Sequence, residues 1–343
     1  MIAINDTPSP TAQILSKGIW LVGLFATLLV LGSCRWTPII RPLSTLELPR
    51  GARAVVLYEG YAFATDGYTG LFIVDLHNPE APDLVASLEI EPFVNNIAVS
   101  GNRAYLTTQG GHLLIVDIST PTDPQVIGSY TTGGNALDVV VKDGVAFVAS
   151  GTAGLVILDV TDPTQPVFIS QQQFEEWEPQ ASVIDITLAD DLAYVSVSGL
   201  AQVILDVSNS RQPTKIVLPF SEHMLPGPWA AIRTWGRTGY ASTGGGVHIL
   251  DLSTPTLPQP IAFFDIPDFV MDIESYHSHL YVAELSAFRI IDVSRTDHPR
   301  IVRHFRVEQG ADVAVANSYA VLADKLYGLY VFDIAPYLNE GCA

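Results

Sequence analysis

The sequence predicts an all-β chain: a seven-bladed β-propeller of four-stranded antiparallel blades, with the last blade closed by an N-terminal strand. Three observations carry that expectation. An apolar run ending in Asp recurs seven times, at Asp75, Asp117, Asp159, Asp206, Asp251, Asp292 and Asp333. Successive aspartates are 42, 42, 47, 45, 41 and 41 residues apart, the length of one propeller blade. What surrounds each copy repeats too. Pro79, Pro121, Pro163 and Pro255 lie four residues past the Asp, and Pro82, Pro124, Pro166, Pro213, Pro258 and Pro299 lie seven past it.

Each repeat begins with a hairpin. In residues 136–149 the turn Lys142, Asp143, Gly144 separates two runs rich in β-branched residues. A Gly-rich loop then leads to the motif run, which lacks polar alternation, as expected of a strand packed on both faces between neighbouring blades. Its terminal Asp is placed to accept hydrogen bonds from backbone N–H groups of the next turn, which the prolines stiffen. Seven equivalent aspartates therefore read as scaffold.

Closure of the ring is also predicted. After Asp333 and Pro336 only seven residues remain, too few for a turn and a fourth strand. At the other end, residues 38–48 form a strand-like stretch ahead of the first hairpin, with no blade of their own. That stretch is expected to complete the last blade and remove an open sheet edge.

The motif resembles that of the LVIVD-repeat family of bacterial surface β-propellers, most closely at Leu113–Asp117 (LLIVD) and Leu155–Asp159 (LVILD). The resemblance runs from about Pro38 to Ile334. It implies an extracytoplasmic location and an interaction role, without a shared reaction.

The first forty residues have a different character. Lys17 precedes an apolar run of about 14 residues, Gly18 to Leu31, too short for a permanent bilayer-spanning helix. The run ends in Leu31, Gly32, Ser33 and Cys34, which resembles the bacterial lipobox; that resemblance implies diacylglycerol attachment at Cys34 and cleavage before it. An uncleaved anchor helix and a plain secretory signal are the alternatives. The expected organisation is a signal peptide over 1–33, a lipidated N-terminus and tether over 34–37, the propeller over 38–336 and a tail over 337–343. The expected product is an exported, membrane-anchored lipoprotein on the extracytoplasmic side. Cys342 is the only other cysteine, so acylation of Cys34 leaves no intramolecular disulfide.

Acidic residues outnumber basic ones 36 to 17, a net charge of −19 that disfavours nucleic acid as a partner. Function is sought where the period breaks. From each motif Asp to the matching residue of the next first strand the usual step is 21, as from Asp75 to Asn96 and from Asp117 to Asp138; from Asp159 to Asp185 it is 26. The step from Asp206 to Ala230 or Ala231 is 24 or 25. The extra residues fall in two interblade crossovers. These supply the candidate binding residues Glu175, Glu176, Trp177, Glu178, Glu222, His223 and Trp229. Alternating strand directions put the crossovers on the same face as the loops between second and third strands, which add Asp66, Tyr68, Glu284, Asp324, Lys325 and Tyr327. That face is expected to be acidic and aromatic, with the tryptophans either contacting a partner or covering blade edges.

Motifs for a serine nucleophile, a zinc protease, a phosphate loop or a dinucleotide fold do not occur. No catalytic residue, metal or cofactor is expected. His277 and His279 read as an exposed hairpin tip, without an identifiable third ligand. The leading expectation is a monomeric, non-enzymatic module at the cell envelope that binds a protein or glycan. A propeller hydrolase or lyase using carboxylates near the central opening, and a purely structural surface protein, are the alternatives.

Overall fold

A computed structural model describes residues 39–174, 181–198, 202–216 and 232–338. Seven separate four-stranded antiparallel sheets stand around a central axis. The first, innermost strands are Ala54–Tyr58, Val94–Ser100, Asp138–Lys142, Val183–Ala189, Ile232–Trp235, Val270–Tyr276 and Gly310–Ala316. The motif strands are the third of each blade: Gly70–Asp75, His112–Asp117, Leu155–Asp159, Gln202–Asp206, Gly246–Asp251, Ala287–Asp292 and Gly328–Asp333. Fourth strands such as Asp83–Glu89 and Gln125–Thr131 form the outer rim and expose alternate residues.

The motif acts as the sequence implies. Each terminal Asp accepts the N–H two residues on through Oδ1, from His77 at 2.8 Å, Ser119 at 2.9 Å, Thr161 at 3.0 Å, Ser208 at 2.9 Å, Ser253 at 2.7 Å, Ser294 at 2.9 Å and Ala335 at 2.9 Å. These bonds hold the Asp75 and Asp117 carboxyls below the usual carboxylate range; at Asp159, Asp206 and Asp251 the neighbouring Thr or Ser hydroxyl contributes first. The residue after each Asp then bonds back to its blade's first hairpin turn, as Leu76 N does to Gly60 O at 2.8 Å and Ile334 N to Ser318 O at 2.8 Å. One short motif thus ties three strands of a blade together.

Packing is between blades. Every adjacent pair shares its own cluster of buried apolar side chains. Phe63, Leu71 and Ile73 of blade one meet Ile97, Leu106 and Val116 of blade two, and the pattern repeats around the ring. At the seam Val55, Phe72 and Val74 of blade one pack with Val321, Ala323 and Val331 of blade seven.

The ring is closed by Ser44–Glu47, which pairs antiparallel with Gly328–Asp333 in the register Ser44 with Val331 and Glu47 with Gly328. Gly328 has φ 120°, and a Cβ there would sit 2.4 Å from Leu46 O, so the closing strand is approached closely because this residue is glycine. The segment continues backwards onto the next blade, where Ile40 N donates to His304 O at 3.0 Å on the rim of blade six. After the last motif strand the chain forms the short helix Ala335–Leu338, with Tyr337 buried and the Arg303 guanidinium 5.0 Å from its ring centre. Cys34 and the leader lie outside the described residues.

Candidate functional site

The candidate binding residues Glu175, Glu176, Trp177, Glu178, Glu222, His223 and Trp229 fall on the two longest crossovers and lie outside the described residues. Residues 199–201, between the second and third strands of blade four, lie outside them too; the other loops between second and third strands on that face are described. Crossovers and the loops between second and third strands do meet there: Gln109 N donates to Phe93 O at 2.8 Å, Leu285 N to Phe269 O at 3.0 Å and Lys325 N to Gln309 O at 2.9 Å.

The acid expected on this face is largely turned inward. Asp66 Oδ1 accepts the amides of Tyr68, Thr69 and Gly70. Asp324 accepts Leu326 and Tyr327 on one oxygen and Glu308 and Gln309 on the other. Glu284 is buried and bonds Arg289 through Oε2. Short loops leave several N–H groups without a sheet partner, and Asp66 and Asp324 satisfy them, whereas Glu284 is neutralised by Arg289. Tyr68 and Phe269 remain exposed, as an aromatic face requires.

Below the face, the residues twenty or twenty-one past the motif aspartates converge on the axis. Asn96, Asp138, Asp272 and Asp312 lie near the start of their first strands at this position, and Asp185 joins them five residues later in count because of its longer crossover. They form a chain of blade-to-blade bonds. Asn96 Nδ2 donates to Asp138 Oδ1 at 2.7 Å, Ile186 N to Asp138 Oδ2 at 2.9 Å, Val313 N to Asp272 Oδ2 at 3.4 Å and Val55 N to Asp312 Oδ2 at 2.7 Å. The carboxylates also accept from their own strands, as Asp138 does from Val139 N at 2.8 Å and Asp312 from Val313 N at 2.9 Å.

Blade five answers this acid with Arg233, two residues further along its first strand. Its Nη2 donates to Asp272 Oδ1 at 2.9 Å; Nη1 lies 3.8 Å from Asp185 Oδ1, and Nε lies 4.0 Å from Glu274 Oε2. One cation faces five carboxyl groups. Burial therefore dominates their ionisation: it pushes Asp185 up to about 8, with Asp138 adding to the rise, and Glu274 up to about 7. Burial also raises Asp138 and Asp312, the latter with the charge of Asp272 adding to it. Asp185 Oδ2 has no hydrogen-bond partner. A group of three or more metal-ligating side chains is not found among the described residues.

In the sequence Asn96, Asp138 and Asp185 mark the register of successive first strands, and only the fold brings them into a ring. The available signal was an acidic residue repeated where apolar strands begin. At the hairpin tip of blade six, His277 is exposed against Trp235, as expected of a turn; His279 is buried in the strand, which corrects the reading of both as exposed.

Two cavities occupy the axis. The upper, of about 310 Å³, is the mouth on the crossover face and is lined by Arg53, Asn95, Asp185, Phe269, Met271 and Lys325, among others. The lower, of about 410 Å³, runs between the first strands and shares Asn96, Arg233, Asp272 and Asp312 with it.

Strands, clusters and axis together define a closed seven-bladed β-propeller whose inner ring of acids staples adjacent blades and whose one described mouth opens among the crossovers. The family model described as LVIVD repeat matches residues 49–89, 93–132, 133–172 and 181–218, which are blades one to four. The chain thus carries four LVIVD repeats within a seven-bladed β-propeller. No curated protein matches it. Similar solved structures include the computationally designed Ika8 protein, with a TM-score of 0.65 at 10% identity over 86% of this chain and 100% of that one. The β-propeller domain of Cps50 (Swd1) from Myceliophteria thermophila gives a TM-score of 0.69 at 10% identity, over 86% and 99%. A chain of the mitotic checkpoint complex gives 0.69 at 11%, over 86% and 95%. At such identities the likeness is one of fold alone.

Proposed function

We propose that this protein is a non-enzymatic binding module, exported and held at the extracytoplasmic side of a membrane by a lipid on Cys34, which receives a protein or glycan at the mouth of its axis. The observation that carries the reading is the mouth cavity itself, to which inner strands and crossover-face loops from different blades contribute side chains of mixed charge and aromatic character. Trp177 and Trp229, which the sequence spacing assigns to crossovers, would add contact area to a partner held there. The acids of the axis weigh against the hydrolase or lyase reading. Asp138, Asp272 and Asp312 each accept a backbone amide from the next blade, a structural task that ties down the oxygens a general base would use.

Filling the mouth tests this. Residues 34–343 are immobilised and exposed separately to purified envelope polysaccharide and to detergent-solubilised envelope protein, alongside a Met271→Trp variant. Retention of one fraction by the native chain and its loss in the variant is the expected result. Equal retention by both chains, or none by either, removes the mouth as the binding site.

A further inference from the structure

The mouth is not uniformly acidic. Arg53 and Lys325 both line it, and among the described residues neither has a carboxylate oxygen within 4.0 Å, although the charge of Asp312 favours the Arg53 cation and that of Asp324 the Lys325 cation. In a chain with a net charge of −19, two such cations beside one cavity are a local exception to the acidic balance.

The backbones at both positions are held by hydrogen bonds, one of which, from Ala52, crosses the seam. Ala52 N donates to Asp324 O at 2.7 Å, Arg53 N to Thr65 O at 2.6 Å and Lys325 N to Gln309 O at 2.9 Å. Gly51 has φ 73°, and a Cβ there would lie 2.2 Å from the Lys325 carbonyl carbon, so the two loops touch at their backbones. The Arg53 guanidinium lies 5.1 Å from the Phe93 ring centre and spends only Nε, on Asn95 O at 3.3 Å. Its Nη1 and Nη2 groups have no acceptor among the described residues, and neither does Lys325 Nζ; together they offer several unused donors. Both side chains are half-buried. Burial lowers the pKa of each, and the charge of Arg53 lowers Lys325 further. Asp312, whose charge favours the Arg53 cation, has its oxygens engaged by Val55 N and Val313 N.

A pair of partly desolvated cations with free donors, carried on a fixed backbone, is complementary to an oxyanion, and bidentate Arg contacts favour its geometry. Asn95 and Asn96 also line the cavity and add neutral polar groups to it. A cavity of about 310 Å³ matches a monosaccharide-sized group.

We infer that Arg53 and Lys325 form an oxyanion subsite at the mouth, and that the ligand is a monosaccharide-sized hydroxylated molecule or glycan terminus carrying a carboxylate or a phosphate. This deepens the binding reading above and rests on it. The test is calorimetric titration of residues 34–343 with D-glucuronate, with glucose 6-phosphate and with D-glucose. Saturable binding of at least one anionic sugar and none of glucose is expected, and the sugar that binds identifies the charged group. Arg53→Gln and Lys325→Gln should each weaken it about tenfold or more, while Lys325→Arg and the distant Lys142→Gln retain it. Absence of saturable binding by either anion, or binding indifferent to both Gln substitutions, overturns the assignment. If that happens while Met271→Trp still abolishes envelope retention, the oxyanion subsite alone is wrong; if retention is also unaffected, the mouth is not the site.

Discussion

The Asp312 carboxylate of blade seven accepts the Val55 amide of blade one at 2.7 Å, across the seam where the two ends of the ring meet. Val55 is buried, so losing the acceptor leaves an amide unpaired away from water. Asp312→Asn keeps an acceptor oxygen and removes the crowded charge; Asp312→Ala keeps neither. The Ala variant should be less stable than the Asn variant by about 1–3 kcal/mol in denaturant unfolding. Equal stability of the two would mean that the Val55 bond contributes nothing to closure.

The axis predicts a pH dependence. Asp185 is raised from 3.8 to about 8 by burial and by Asp138, with Arg233 opposing and Asp272 adding to the rise. A folded state that holds the proton more tightly is favoured at low pH. This contribution is complete below about pH 4 and is lost as pH climbs through about 8. Glu274, raised to about 7, acts in the same direction. Asp185→Asn removes the titration, so its melting temperature should gain on the native chain from pH 4 to about 8 and then level off. A gain of roughly 2–4 °C per kcal/mol is the expected scale. Parallel curves across that range would show that Asp185 titrates normally.

Removing residues 39–48 should open an edge along Gly328–Asp333 and release the bridge to His304. Aggregation, or a fall in melting temperature of several degrees, is expected. A monodisperse protein with an unchanged melt would place closure elsewhere.

For the anchor, Cys34→Ala should abolish incorporation of labelled fatty acid and release the protein from membranes. Continued membrane fractionation of the variant would point to an uncleaved helix instead.

The ring was legible in the sequence because every blade repeats the same local solution: a hairpin, an apolar run and an Asp that seizes the next turn. The closing strand was legible as a strand without a blade. The inner acids were visible as letters but not as a site. Asp138 and Asp312 lie far apart along the chain, and only the seven-fold arrangement brings one position of each repeat to a common axis. Arg53 and Lys325 sit in loops with no repeat to mark them, and their meeting depends on the seam. The acid of Asp66, Glu284 and Asp324 misled because a loop carboxylate looks the same in sequence whether it faces water, its own backbone amides or a buried arginine.

Closure by an N-terminal strand also governs the order in which this molecule can assemble. Val55 and Asp312 are 257 positions apart, and bringing such distant ends together in an unstructured chain costs on the order of 5 kcal/mol in loop entropy. Blades built one upon the next shrink that gap stepwise, since each finished sheet replaces some forty flexible residues by a fixed wedge of the circle. Ser44–Glu47 must therefore wait, unpaired, until the seventh motif strand exists. The final joining step is then a short-range capture, in which the first strand of the domain finds a partner only in its last one.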